Sequence, residues 1–80
     1  MTKKKYNRIK IVLAEHNKTS LWLAGKMDRD KSTISRWRTN DMQPSIEVLF
    51  KIAEVLDVSA RELLVDTGMK KALQREVTRL

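Results

Sequence analysis

Lys31, Ser32, Ser35 and Arg36 fall within six consecutive residues, and their three- and four-residue spacings put them on one side of a helix. Two are cations and two carry hydroxyls. Such a face offers positive charge with hydrogen-bond donors and acceptors, and it holds no nucleophile–base pair. Placed by a neighbouring helix, it can enter the major groove of duplex DNA and meet base edges there. A second set lies just upstream. Thr19 and Ser20 sit where another helix should begin, and the free backbone N–H groups of a helix start favour an anion such as phosphate. The competing readings are a solvated polar face for the first set and plain capping for Thr19.

Other chemistry has little to work with. His16 is the single histidine and there is no cysteine, so neither a metal-ligand cluster nor a disulfide is expected. His16 falls on an apolar stripe and is read as packing. Asp28 and Asp30 suit a turn and a cap better than acid–base catalysis. Two glycines in the whole chain do not make a phosphate cradle. The expectation is a non-enzyme with no cofactor, no metal and no evident small-molecule ligand.

The elements that must hold the polar face can be read from apolar spacing. Helix 1 is expected from near Lys5 to Glu15, with Ile9, Val12, Leu13 and His16 on one stripe. Asn17-Lys18 breaks it. The second helix follows Thr19 and turns Leu23, Ala24 and Met27 inward, with Gly25 costing about 1 kcal/mol relative to Ala. Trp22 is expected to be partly buried against helix 1 or the tail, or to serve as a contact surface. Asp28-Arg29 is the turn and Asp30 the cap of helix 3, which covers about 31–38 with Ile34 and Trp37 inward.

Residues 39–44 read as a polar loop, after which Ser45 caps helix 4. The stripe of helix 4 is Ile46, Leu49, Phe50, Ala53 and Leu56. Ser59-Ala60-Arg61-Glu62 is a capping box expected to open helix 5, backed by Leu63 and Leu64. Gly68 reads as a stop, and Met69, Ala72, Leu73, Val77 and Leu80 share a face of a C-terminal helix. The fold class is all-α: a compact five-helix domain with an additional amphipathic C-terminal helix. The expected boundaries are a basic arm at 1–5, a domain at 6–66 and a helical tail at 67–80.

Eighty residues make one domain. A domain this small buries only about 60% of its unfolded surface, so its core must be tight. No apolar run is long enough to cross a membrane. The start of the chain has no signal-peptide cleavage pattern, and a cytoplasmic protein is expected. The net charge is +7, and it is unevenly placed. Residues 1–40 carry eleven Lys and Arg against three acids, whereas residues 41–80 carry six against seven. All of the excess positive charge lies in the half with the polar face, which is the electrostatic footprint of a polyanion partner.

Two helices that cross steeply need a small residue at the contact, and Ala24 supplies it. The turn needs a left-handed residue, and Asp28 is among the few non-Gly types that tolerate that conformation. Leu23-Ala24, then Ser32-Thr33-Ile34-Ser35-Arg36-Trp37, then Gln43-Pro44-Ser45, then Leu49, Ile52, Ala53, Leu56, Val58, Ser59, Glu62, Leu63 and Leu64 together resemble the Cro and phage-repressor type of helix-turn-helix regulator. The resemblance spans roughly residues 6–65. It implies a lambda-repressor-like fold in which helices 2 and 3 form the DNA-reading unit. It also implies a homodimer on a palindromic double-stranded operator, acting mostly as a repressor.

Carried onto this chain, the resemblance makes Arg36 a base reader, with Lys31, Ser32 and Ser35 as further base contacts. Thr19, Ser20, Thr33, Arg38, Thr39 and Asn40 are the phosphate candidates, Thr33 having the alternative of facing the preceding helix. Lys3, Lys4 and Lys5 form an arm that wraps the duplex, or else a solvated end. The chain departs from the pattern at Asp28 and Asn40, where Gly is usual, and at Ser20, where Gln is common. A protein-binding module of the antitoxin kind, using the C-terminal helix against a partner, is the alternative function.

Overall fold

The computed structural model describes residues 4–67. Lys3 of the arm, the stop expected at Gly68 and the apolar face expected from Met69 to Leu80 lie outside the described residues. Four α-helices follow in order: α1 Ile9–Glu15, α2 Ser20–Met27, α3 Lys31–Arg38 and α4 Ile46–Leu56. A single 3-10 turn, Ala60–Leu63, completes the domain. The all-helical class stands, with four α-helices among the described residues where five were expected.

The missing fifth helix has a local cause. Ser59 takes an extended backbone but its side chain caps nothing, and the Glu62 N–H bonds the Ser59 carbonyl at 3.0 Å, three residues back. That closes a 3-10 turn, which seats Leu63 in the core and then lets the chain run extended.

The late start of α1 is explained by what the extended segment meets. The Arg8 N–H donates to Leu63 O at 2.8 Å, and Tyr6 O accepts from the Val65 N–H at 2.9 Å. These bonds bracket an isolated antiparallel bridge between Asn7 and Leu64. The backbone groups of residues 6–8 are thus used across the domain. The Asn7 side chain then accepts from the Ile9 N–H at 3.1 Å and starts the helix.

Each α-helix stops by the same device. Asn17, Asp28, Asn40 and Asp57 are the non-glycine residues with positive φ, at 56°, 54°, 65° and 57°. Behind them the 6→1 bonds of the Schellman motif run from Lys18 to Leu13, Arg29 to Ala24, Asp41 to Arg36 and Val58 to Ala53. Asp28 fills the turn as its side-chain type allows. Gly25 lies instead within α2, exposed and with nothing near its missing Cβ.

The core is built from Ile9, Val12 and Leu13 of α1, Leu23, Ala24 and Met27 of α2, Ile34 and Trp37 of α3, four residues of α4, and Leu63. The α4 stripe is turned from the expected one. Leu49, Ile52, Ala53 and Leu56 are buried, at i, i+3, i+4 and i+7, so Ile46 and Phe50 fall on the shoulder at 63% and 57% exposure. His16 also departs from its expected place. Asn17 takes the left-handed turn directly after it, which makes His16 the exposed end of α1 and not a packed residue.

Candidate functional site

The two helices of the expected reading unit are capped and crossed as their sequence requires. Thr19 is the N-cap of α2, its hydroxyl accepting from the Trp22 N–H at 3.0 Å. Ala24 is buried, 5% exposed, on α2, the helix that packs beside α3 and α4. Ile34 and Trp37 are buried and fix the roll of α3, and the Arg29 guanidinium lies 5.7 Å from the Trp37 ring. With those two residues inward, Lys31, Ser32 and Arg36 are exposed, and Ser35 and Thr33 are half-buried.

Asp30 occupies the N-cap position of α3, yet no capping hydrogen bond of ordinary geometry joins its carboxylate to a backbone N–H. It accepts instead from the Ser32 hydroxyl at 2.7 Å and from the Thr33 hydroxyl. The two hydroxyls, Thr33 first, hold the carboxyl below its ordinary value of 3.8 by favouring the ionised form. So two residues expected to touch DNA are held by one exposed acid two and three residues back.

At the other end of α3 the wiring is long-range. Asn40 Oδ1 accepts from the N–H groups of Tyr6 and Asn7 at 2.9 and 3.0 Å, and Nδ2 donates to Asn7 O at 3.2 Å. Asn7 is 4% exposed, and its Nδ2 donates to Trp37 O at 2.9 Å and to Gln43 Oε1 at 2.7 Å. Gln43 Nε2 returns to Asn40 Oδ1 at 3.0 Å. Three carboxamides therefore interlock. The Thr39 hydroxyl, another phosphate candidate, donates to the Asp41 carboxylate at 2.7 Å.

Between these ends lies a basic band made of two adjoining recesses. One, of about 280 Å³, is lined by Lys10, Lys18, Thr19, Ser20 and Arg38, together with Leu13 and Ala14. The other, of about 250 Å³, is lined by Lys5, Arg8, Lys10, Arg38, Thr39 and Asn40, among others. Lys10 and Arg38 belong to both. Ser20 Oγ and Arg38 Nε are buried with no hydrogen-bond partner among the described residues. A buried donor left unmade costs about 1–3 kcal/mol, so these two atoms mark a place that favours an acceptor. Lys18 and Lys26 hold their ammonium groups 4.8 and 5.9 Å from the half-buried Trp22 ring.

Residues 9–63 match the helix-turn-helix family, of the Cro and phage-repressor type. The chain belongs to that family. A solved structure of a candidate DNA-binding protein from Bacteroides fragilis is 51% identical, and the alignment covers 74% of this chain and 95% of that one with a TM-score of 0.73. No curated protein matches. In the helix-turn-helix frame, α2 and α3 are the paired helices and Asp28 is their turn. Thr19, Ser20 and Arg38 share one recess, Lys31, Ser32 and Arg36 share the outer face of α3, and Asn40 is drawn into the scaffold.

Sequence reasoning missed Lys10, Lys18, Asn7 and Gln43. The two lysines join Arg38 only through the packing of α1 beside α3, which no local spacing reports. Asn7 carried a readable signal. An Asn two residues before an apolar-periodic stretch is a helix-start type, and it marks the true beginning of α1.

Proposed function

We propose that this chain is a sequence-specific regulator of transcription that binds double-stranded DNA without enzymatic activity, and that it acts as a repressor. Helix α3 enters the major groove, with Arg36, Lys31, Ser32 and Ser35 at base edges. The observation that carries this reading is the pairing of two features on the α2–α3 unit. One is a wet cationic face on α3, fixed from behind by Ile34 and Trp37. The other is the adjoining basic recess where Ser20 Oγ and Arg38 Nε lack acceptors. A backbone phosphate supplies those acceptors, and Thr19, Lys10 and Lys18 surround it. The match to the family and the solved neighbour support the same conclusion.

Lys3, Lys4 and Lys5 add arm contacts, Thr33 and Thr39 flank the strand, and Asn40 supports it from within the scaffold. The working form is a homodimer in the cytoplasm on a palindromic operator, its two α3 helices about 34 Å apart. Among the described residues no helix is long and apolar enough to cross a membrane.

Titration of labelled duplexes at several salt concentrations tests this. Binding should show a steep negative log–log salt slope and a preference among sequences. No binding at about 50 mM salt ends the proposal. Arg36→Ala should lose about 1–3 kcal/mol of discrimination at one position of the selected site. Uniform weakening across all sequences would move Arg36 to the phosphate set.

A further inference from the structure

We propose that Asn40 is the anchor that seats the basic N-terminal arm beside the exit of α3, so that arm and reading helix meet the duplex as one unit. The inference rests on the DNA-binding reading above. It starts from a residue type. Asn40 has φ 65°, a conformation that Gly adopts without steric penalty, so the backbone alone does not ask for Asn. The side chain is where Asn differs. Its Oδ1 takes the N–H groups of both Tyr6 and Asn7, and its Nδ2 returns to Asn7 O. Asn17, Asp28 and Asp57 hold the same backbone conformation, and none of them reaches a remote segment in this way among the described residues.

Three features make the anchor suited to this task. It spans 33 and 34 residues, joining the start of the described chain to the loop that leaves α3. It is uncharged, so the arm keeps its full positive charge, and Lys4 and Lys5 stay exposed. It is also held in orientation, since Gln43 Nε2 donates to the same Oδ1 at 3.0 Å. Lys5 consequently lines one recess with Arg38 and Thr39, at the exit of the reading helix. An arm fixed there loses less freedom on binding than a loose one, and its cations follow the strand that α3 has already engaged. Asn40 is thus a positioning residue, acting through the lysines.

The test uses the full chain and two duplexes: one selected from a random library by the unaltered protein, and one of mixed sequence. Lys4→Ala/Lys5→Ala should reduce the log–log salt slope by about 1.8, at about 0.9 per phosphate contact. Asn40→Gly, which keeps the α3 stop, should reduce it by a similar amount and leave the base preference intact. Combining the changes should bring no further loss. Hydrogen exchange supplies the readout that a general loss of structure does not mimic. In Asn40→Gly the Tyr6 and Asn7 amides should exchange faster while those of Ile34 and Trp37 stay protected. An unchanged slope in Asn40→Gly, a loss that adds fully to the lysine changes, or a lost base preference overturns the anchor. An unchanged slope in Lys4→Ala/Lys5→Ala overturns it even if Asn40→Gly does not fold. Failure of the unaltered chain to bind any duplex overturns the functional reading first, and the anchor with it.

Discussion

The two ends of α3 are wired in opposite ways. At its start, Asp30 collects the Ser32 and Thr33 hydroxyls, all within three residues and at an exposed surface. At its exit, Asn7, Asn40 and Gln43 exchange carboxamide bonds across more than thirty residues, and Asn7 is buried. The difference follows from what each end supports. The hydroxyl bonds at the start tie α3 to no other element, so they can break without disturbing one. The exit holds the Trp37 carbonyl, the start of α1 and the arm in one network, so losing one member leaves several groups unsatisfied. Helix α3 is thereby fixed at one end and adjustable at the other.

The largest test of that contrast is Asn7→Ala. It removes the donor to Trp37 O and Gln43 and the acceptor for the Ile9 N–H. Urea unfolding should show a loss of about 2–3 kcal/mol, the cost of leaving buried partners unmade. A loss below about 0.5 kcal/mol, the usual range of a neutral surface change, would mean that the exit is no more buried energetically than the start. Gly25→Ala touches neither end. Nothing lies within 4 Å of the added Cβ, so stability should rise by about 0.4–1 kcal/mol while DNA affinity stays the same. A fall in affinity would show that α2 needs more freedom than its caps suggest.

The smallest effect is expected at Asp30. Its carboxyl is depressed in the folded chain by hydroxyls that favour the ionised form. The stability it contributes is therefore present above the unfolded value of 3.8 and lost as pH falls through the lower folded value. A carboxyl-detected NMR titration should find Asp30 below 3.8, returning toward it in Ser32→Ala/Thr33→Ala. If it titrates unchanged in that variant, the hydroxyls do not hold it.

Much of the helix pair was legible from residue types. Thr19 as a cap, Asp28 as a left-handed turn, and Ala24, Ile34 and Trp37 inward all follow from local rules, and all are found. What escaped depends on distant partners. Helix 1 starts at Ile9 because residues 6–8 pair with Leu63 and Val65, a contact no periodicity encodes. The α4 stripe had the right spacing but a different roll, with Ile52 fully buried and Phe50 outside. The capping box at Ser59 failed because Leu63 reaches the core after a single tight turn. Lys10 and Lys18 were visible only as charge until packing set them beside Arg38.

The bonds that join Tyr6 to Val65 and Arg8 to Leu63 have a topological consequence. They close the described chain into a ring, so the polypeptide enters and leaves the domain at one spot. That spot adjoins the Asn40 network, because Asn7 belongs to both. The segment that leaves the domain at residues 64–65 therefore lies beside the one that enters it at residues 6–8. A short linker joining the two ends, with new termini opened at the exposed Asp28–Arg29 turn, would preserve every bond of the ring while separating α2 from α3 in the chain.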